Sequence, residues 1–131
     1  MAKQFVPPRI AQVGVQCGDL GEAREFYCDR IGLDFVAEIG DSIFVRCGES
    51  NLILQTMDEP TPSNTIYFSA DGEIHTAVED LQRRGVVFKQ PPACIAEGLD
   101  TPDAGVCDVW LGFFDDPWGN EFGLIANMPV N

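Results

Sequence analysis

Apolar and polar positions alternate at the start of the chain, in IAQVGVQC (residues 10–17). Ile10, Val13, Val15 and Cys17 interleave with Gln12, Gly14 and Gln16. The pattern predicts a strand with one apolar and one polar face. The period then lengthens. Leu20, Ala23, Phe26, Tyr27 and Ile31 recur at helical spacing, behind Asp19 as N-cap and ahead of Gly32 as a stop. Three short apolar runs follow: LDFVAEI, SIFVRC and NLILQTM. They are separated by hairpin-type breaks at Gly40-Asp41 and at Gly48 to Ser50.

DEPTPSN (58–64) has two prolines and no periodicity, and reads as a linker. After it the pattern restarts. NTIYFSA predicts a strand. GEIHTAVEDLQRRGVVF predicts a helix with Ile74, Ala77, Val78 and Leu81 on one face, stopped at Gly85. VVFKQPP, DVWLGFF and EFGLIAN predict further strands. The Pro- and Gly-rich stretch from Pro91 to Asp108 reads as an ordered loop. Strand–helix–three strands is thus written twice, and RIGLDF at 30–35 echoes RRGVVF at 83–88. A module of this size hardly buries its own sheet face alone. The prediction is one α+β domain over 1–131, with module 1 at about 10–58, a linker at 59–63 and module 2 at about 64–127. Two βαβββ modules would form a curved mixed sheet with helices outside and an open concave cavity, where a small ligand would sit.

Composition narrows the partners. With 21 acidic against 8 basic residues, the net charge is −13. Such a surface repels nucleic acid and anionic membranes and draws cations. Its plainer effect is solubility. The chain has no apolar run near the roughly 18 residues of a membrane span, and MAKQFVPPRI has no signal-type apolar stretch. The five cysteines include no Cys-x-x-Cys pair. They read as buried small side chains in a reducing, cytoplasmic setting.

The opening carries Asp19-Leu20, Ala23, Phe26-Tyr27 and Gly32-Leu33, and the end carries Asp116-Pro117-x-Gly119-Asn120. With the paired modules, these motifs resemble the vicinal oxygen chelate superfamily. It comprises glyoxalase I, bleomycin-resistance proteins, extradiol dioxygenases and related enzymes. The likeness spans about residues 10–126. In metal-dependent members four side chains on the concave face, usually His, Glu or Gln, hold a divalent ion. Carried over by position, they fall on Gln12, Gln55, Thr65 (or Asn64, one residue earlier) and Gly123. This set has no imidazole and no carboxylate, although transition metals favour charged or strongly basic donors. The single histidine, His75, falls on the second predicted helix, away from the cavity. The expectation is no cofactor. A divalent metal at Gln12 and Gln55, completed by Glu121, is the alternative.

The remaining cavity candidates are Gln16, Tyr67 and Glu121 as polar groups, with Phe44, Met57, Trp110, Phe113 and Trp118 as apolar ones. Core packing is the plainer role for each aromatic, and strand parity at Trp110 and Phe113 is open. Gly123 is expected to leave room for a guest. Two function classes follow. The first is a metal-free protein that binds a small, partly aromatic or cationic molecule, as bleomycin-resistance proteins do. The second is a metal-dependent isomerase, lyase or dioxygenase. A metal-free enzyme using Glu121 or Tyr67 as acid or base is a third reading. The resemblance also implies a homodimer. Whether the modules pair within one chain or between two is open at this stage.

Overall fold

The computed structural model describes residues 10–62, 64–70, 73–102 and 104–130. The N-terminal stretch read above for a signal sequence, and Ser63 of the linker, lie outside them. Module 1 comprises β1 (Gln12–Cys17), helix α1 (Leu20–Arg24) continuing into a π-helical segment (Glu25–Arg30), β2 (Asp34–Ile39), β3 (Ser42–Cys47) and β4 (Ser50–Thr56). Module 2 repeats the order: β5 (Ile66–Ser69), α2 (Ile74–Arg83), β6 (Phe88–Thr101), β7 (Gly105–Asp115) and β8 (Glu121–Pro129). The sheets run β1-β4-β3-β2 and β5-β8-β7-β6. In each, the first and last strands of the module pair in parallel. The expected α+β class with two βαβββ modules is what the chain adopts.

The first helix starts as the sequence predicts, with the Asp19 carboxylate accepting from the Glu22 amide at 2.8 Å. It then widens. The Ile31 amide bonds to the Phe26 carbonyl, five residues back, at 3.0 Å. The wider turn lets two consecutive rings, Phe26 and Tyr27, both enter the core. The stops at Gly32 and Gly85 need positive φ, +95° and +93°. They also bring the helix ends together across the modules. A β-carbon on Gly32 would lie 2.7 Å from an Arg84 guanidinium nitrogen, and one on Gly85 3.8 Å from Arg30.

One core joins the modules. It holds Val15, Ile43, Val45, Leu52 and Leu54 of the first sheet, Ala23, Phe26 and Tyr27, and Phe114 and Phe122 of the second sheet. The ring of Phe26 lies 6.5 Å from that of Phe114, and the ring of Tyr27 lies 5.8 Å from that of Phe122. The helix sides of the two sheets therefore meet through Phe26 and Tyr27, so within one chain the helices lie between two sheets and not, as expected, outside one curved sheet. Each sheet turns its other face outward, away from the shared core.

Of the stretch from Pro91 to Asp108, expected to be a loop, residues 91–101 and 105–108 instead lie in the strands of a long β6–β7 hairpin. Pro91 and Pro92 sit in β6, the outermost strand, where a missing N–H breaks no inner ladder. The register of β6 against β7 slips at four places, which absorbs the irregular sequence.

Candidate functional site

Strand alternation builds the two open faces. On the first sheet, Gln12 aligns with Asn51, Gly14 with Ile53 and Gln16 with Gln55, while Phe44 pairs with Ile53. Val13, Val15, Leu52 and Leu54 point the other way, to the core. Gln12 and Gln55 are exposed, and a β-carbon on Gly14 would touch only the Gln55 side-chain oxygen, at 3.6 Å. Glycine here keeps the strand low and the amides accessible. Gln16 is engaged at the end of the face. Its side-chain oxygen accepts from the Thr61 amide at 2.8 Å, and its backbone carbonyl from the Asn120 side chain at 2.9 Å. Met57 follows β4 and is half-exposed.

On the second sheet, Tyr67 aligns with Gly123, and Gly123 with Phe113. The rings of Tyr67 and Phe113 lie 6.1 Å apart at 70°. The expected role of Gly123 was to leave a space. The structure fills that space with Tyr67: a β-carbon at 123 would sit 2.5 Å from its ring and 3.3 Å from the Phe113 ring. Gly123 is small so that an aromatic ring can lie flat over the strand. That ring remains half-exposed.

Beside this platform stands a polar cluster. The Thr65 hydroxyl donates to Glu121 at 2.5 Å. The Lys89 ammonium pairs with Glu121 at 2.6 Å and with Asp115 at 2.8 Å. The Lys89 and Thr65 hydrogen bonds hold Glu121 below the usual carboxylate range, and those with Asp115 and Glu121 hold Lys89 above its usual value. Both groups therefore keep their charges at neutral pH, and neither is poised for proton transfer. Two carboxylates and one ammonium leave a net negative charge at the platform's edge.

Two candidates sit elsewhere. Trp110 pairs with Ala126 on the helix side, where its ring meets exposed His75 edge-on at 5.0 Å. Parity decides this: Trp110 and Phe113 are an odd number of residues apart on β7, so they point to opposite faces. Trp118 lies in the β7–β8 turn and covers Gly18, whose β-carbon would come 2.5 Å from the indole nitrogen. Its partners are core residues.

Under that turn lies an anchor that sequence reading took only as packing and turn chemistry. Asp116 is buried and accepts four hydrogen bonds: from Tyr27 Oη (2.6 Å), the Trp118 and Asn120 amides (2.9 and 2.8 Å) and Asn120 Nδ2 (2.7 Å). The Phe-Tyr motif of one module thus locks the Asp-Pro-x-Gly-Asn turn of the other. Burial, then the Asp116 charge, pushes the Tyr27 phenol far above its ordinary range, so it stays a neutral donor. Lys89 was also missed. Its only sequence signal was a lone base two positions before the Pro-Pro pair.

The four positions that resemble metal ligands do not fit a metal. They offer two neutral amides, one hydroxyl and, at Gly123, no side chain, with no imidazole or carboxylate among them. Thr65 donates to Glu121, which Lys89 already neutralises. Among the described residues no three His, Cys, Asp or Glu side chains cluster to hold an ion. All five cysteines are free thiols, and burial pushes Cys17 up to about 11. No helix of the described residues is long and apolar enough to cross a membrane.

The fold is shared with solved proteins. A glyoxalase/bleomycin resistance protein/dioxygenase from Alicyclobacillus acidocaldarius superposes with a TM-score of 0.73 at 17% identity, covering 96% of each chain. A protein of the same description from Nocardioides gives 0.72 at 21%, covering 98% of this chain and 89% of its own. A lactoylglutathione lyase from Agrobacterium tumefaciens gives 0.68 at 20%, covering 92% and 94%. At such identities the likeness speaks for fold alone. No curated protein matches the sequence. The family model for the glyoxalase/bleomycin resistance protein/dioxygenase superfamily matches residues 9–124. Two βαβββ modules, the Tyr27–Asp116 lock between them and a match over nearly the whole length agree: the chain belongs to the glyoxalase/bleomycin resistance protein/dioxygenase superfamily.

Proposed function

We propose that this protein binds a small, partly aromatic organic molecule without a metal, on a site that two chains complete together. The observation that carries this reading is the Tyr67 ring lying over Gly123, beside Thr65, Glu121 and Lys89. At the family's metal positions the second sheet offers an aromatic platform and a lysine-neutralised carboxylate. Tyr67 and Phe113 suit stacking on a planar group. The net negative charge at the platform's edge and the overall charge of −13 favour a neutral or cationic guest over an anion. The amides of Gln12 and Gln55 supply directed hydrogen bonds from the first sheet. Metal-dependent isomerase, lyase or dioxygenase chemistry is disfavoured by the donor set, and proton transfer by the fixed charges of Glu121 and Lys89.

The outward aim of both open faces is what makes the site a shared one. Within one chain the shared core separates the amides of the first sheet from the platform of the second. A second copy, related by a two-fold axis, can set its platform opposite those amides. Sedimentation at micromolar concentration is expected to show twice the chain mass of 14.4 kDa. A monomer at that concentration contradicts the shared site.

The function itself is tested by titrating planar cationic, neutral and anionic compounds, each with and without a chelator. Changes in tyrosine and tryptophan emission report occupancy. Saturable binding that survives the chelator and prefers neutral or cationic compounds is expected. Binding that the chelator abolishes would contradict the proposal.

A further inference from the structure

We propose that the protein has a second ligand site, a cleft between the modules that takes a compact, uncharged apolar molecule. It is separate from the open faces and lies on the helix side, between the β3–β4 turn and α2. Its volume is about 460 Å³, within the range of about 300–1,000 Å³ for small-molecule pockets. Phe114 and Leu124 form its floor and are 0% and 4% exposed. Ile31, Leu33, Phe68 and Leu81 form its walls, each only partly buried.

Packed interiors leave few voids larger than a water molecule. Elsewhere the seam between the modules obeys this, since Tyr27, Phe114 and Phe122 are fully buried where they meet. Beside them the seam stays open although its lining is large and apolar. Ser69 and Asp80 are the polar side chains of its lining and the rest is largely apolar, which favours an apolar guest. The mouth sets the charge. Asp80 stands there with one oxygen on Arg83 at 3.3 Å and the other on Arg84 at 3.2 Å. A cation would have to displace a guanidinium, and an anion would meet the carboxylate. An uncharged ring or short branched chain meets neither cost.

The probe is N-phenyl-1-naphthylamine, neutral and fluorescent in apolar surroundings, titrated in a Tyr67→Ala protein that lacks the open-face platform. Its emission is expected to rise and saturate at one probe per chain. Ala77→Leu on α2 and Cys47→Leu at the end of β3 each narrow the cleft from opposite walls. Each is expected to weaken binding on the order of tenfold, about 1.4 kcal/mol. If one cleft variant fails to fold, the other decides. Absence of saturable binding in this background, or binding indifferent to the folded cleft variants, would each overturn the proposal. The open-face platform is missing from this background, so the two readings fail separately.

Discussion

Asp116→Ala is expected to cost about 3–5 kcal/mol of folding stability, the range for stripping the partner from a buried charged network. That is a large share of the ~5–15 kcal/mol that holds a typical domain folded. The carboxylate accepts from four donors at once, and its loss leaves the buried Tyr27 hydroxyl and the Asn120 side chain with one acceptor fewer. Tyr27→Phe keeps the ring in the core and removes one of the four bonds. It is expected to cost about 1.5–3 kcal/mol, as for one hydrogen bond to a charged group. The neighbouring Asp115 is the control. It points to the open face and pairs with Lys89 in solvent, so Asp115→Ala should stay within about 1 kcal/mol. Urea denaturation midpoints separate the three. Equal losses for Asp115→Ala and Asp116→Ala would show that the lock does not hold the modules together.

Gly123→Leu is expected to abolish most open-face binding while leaving the protein folded. The new side chain claims the space under Tyr67, where even a β-carbon would come 2.5 Å from the ring. Gly123 does not need positive φ, so the backbone accepts leucine. Tyr67 is 52% exposed and free to swing toward solvent, so the overpacking cost belongs near the low end of about 1–3 kcal/mol. The platform is what is lost. Displacing a central aromatic contact is expected to weaken a guest on the order of thirtyfold, about 2 kcal/mol. The thermal midpoint checks folding and fluorescence titration checks binding. A folded variant that binds as tightly as the parent would place the guest elsewhere. An unfolded one would show that the Tyr67 ring belongs to the core.

Most of the fold was legible because period is written in residue order. The alternation in β1, the helical spacing from Leu20 to Ile31 and the RIGLDF/RRGVVF echo each reflect local geometry. Three things were not legible, for different reasons. The long β6–β7 hairpin hid behind Pro91 and Pro92, because edge strands tolerate prolines that inner strands refuse. The side of the strand taken by Trp110 depended on where β7 begins, since one residue of slip exchanges the faces. The outward aim of the open faces depended on tertiary packing of Phe26 and Tyr27, which join two modules whose sequences give only their own inner faces. Gly123 was singled out as a place that leaves room for a guest. What takes the space came from Tyr67, an exposed ring on another strand, and no pattern within β8 announces it.

On the proposed reading, the family's metal positions here serve an organic guest. Elemental analysis of protein grown in metal-supplemented medium and purified without chelator separates this from a metal site. Zinc, nickel, iron and manganese are all expected far below one equivalent per chain, with no change on mutating Gln12, Gln55 or Glu121. Near-stoichiometric metal that is lost on mutating those residues would contradict it.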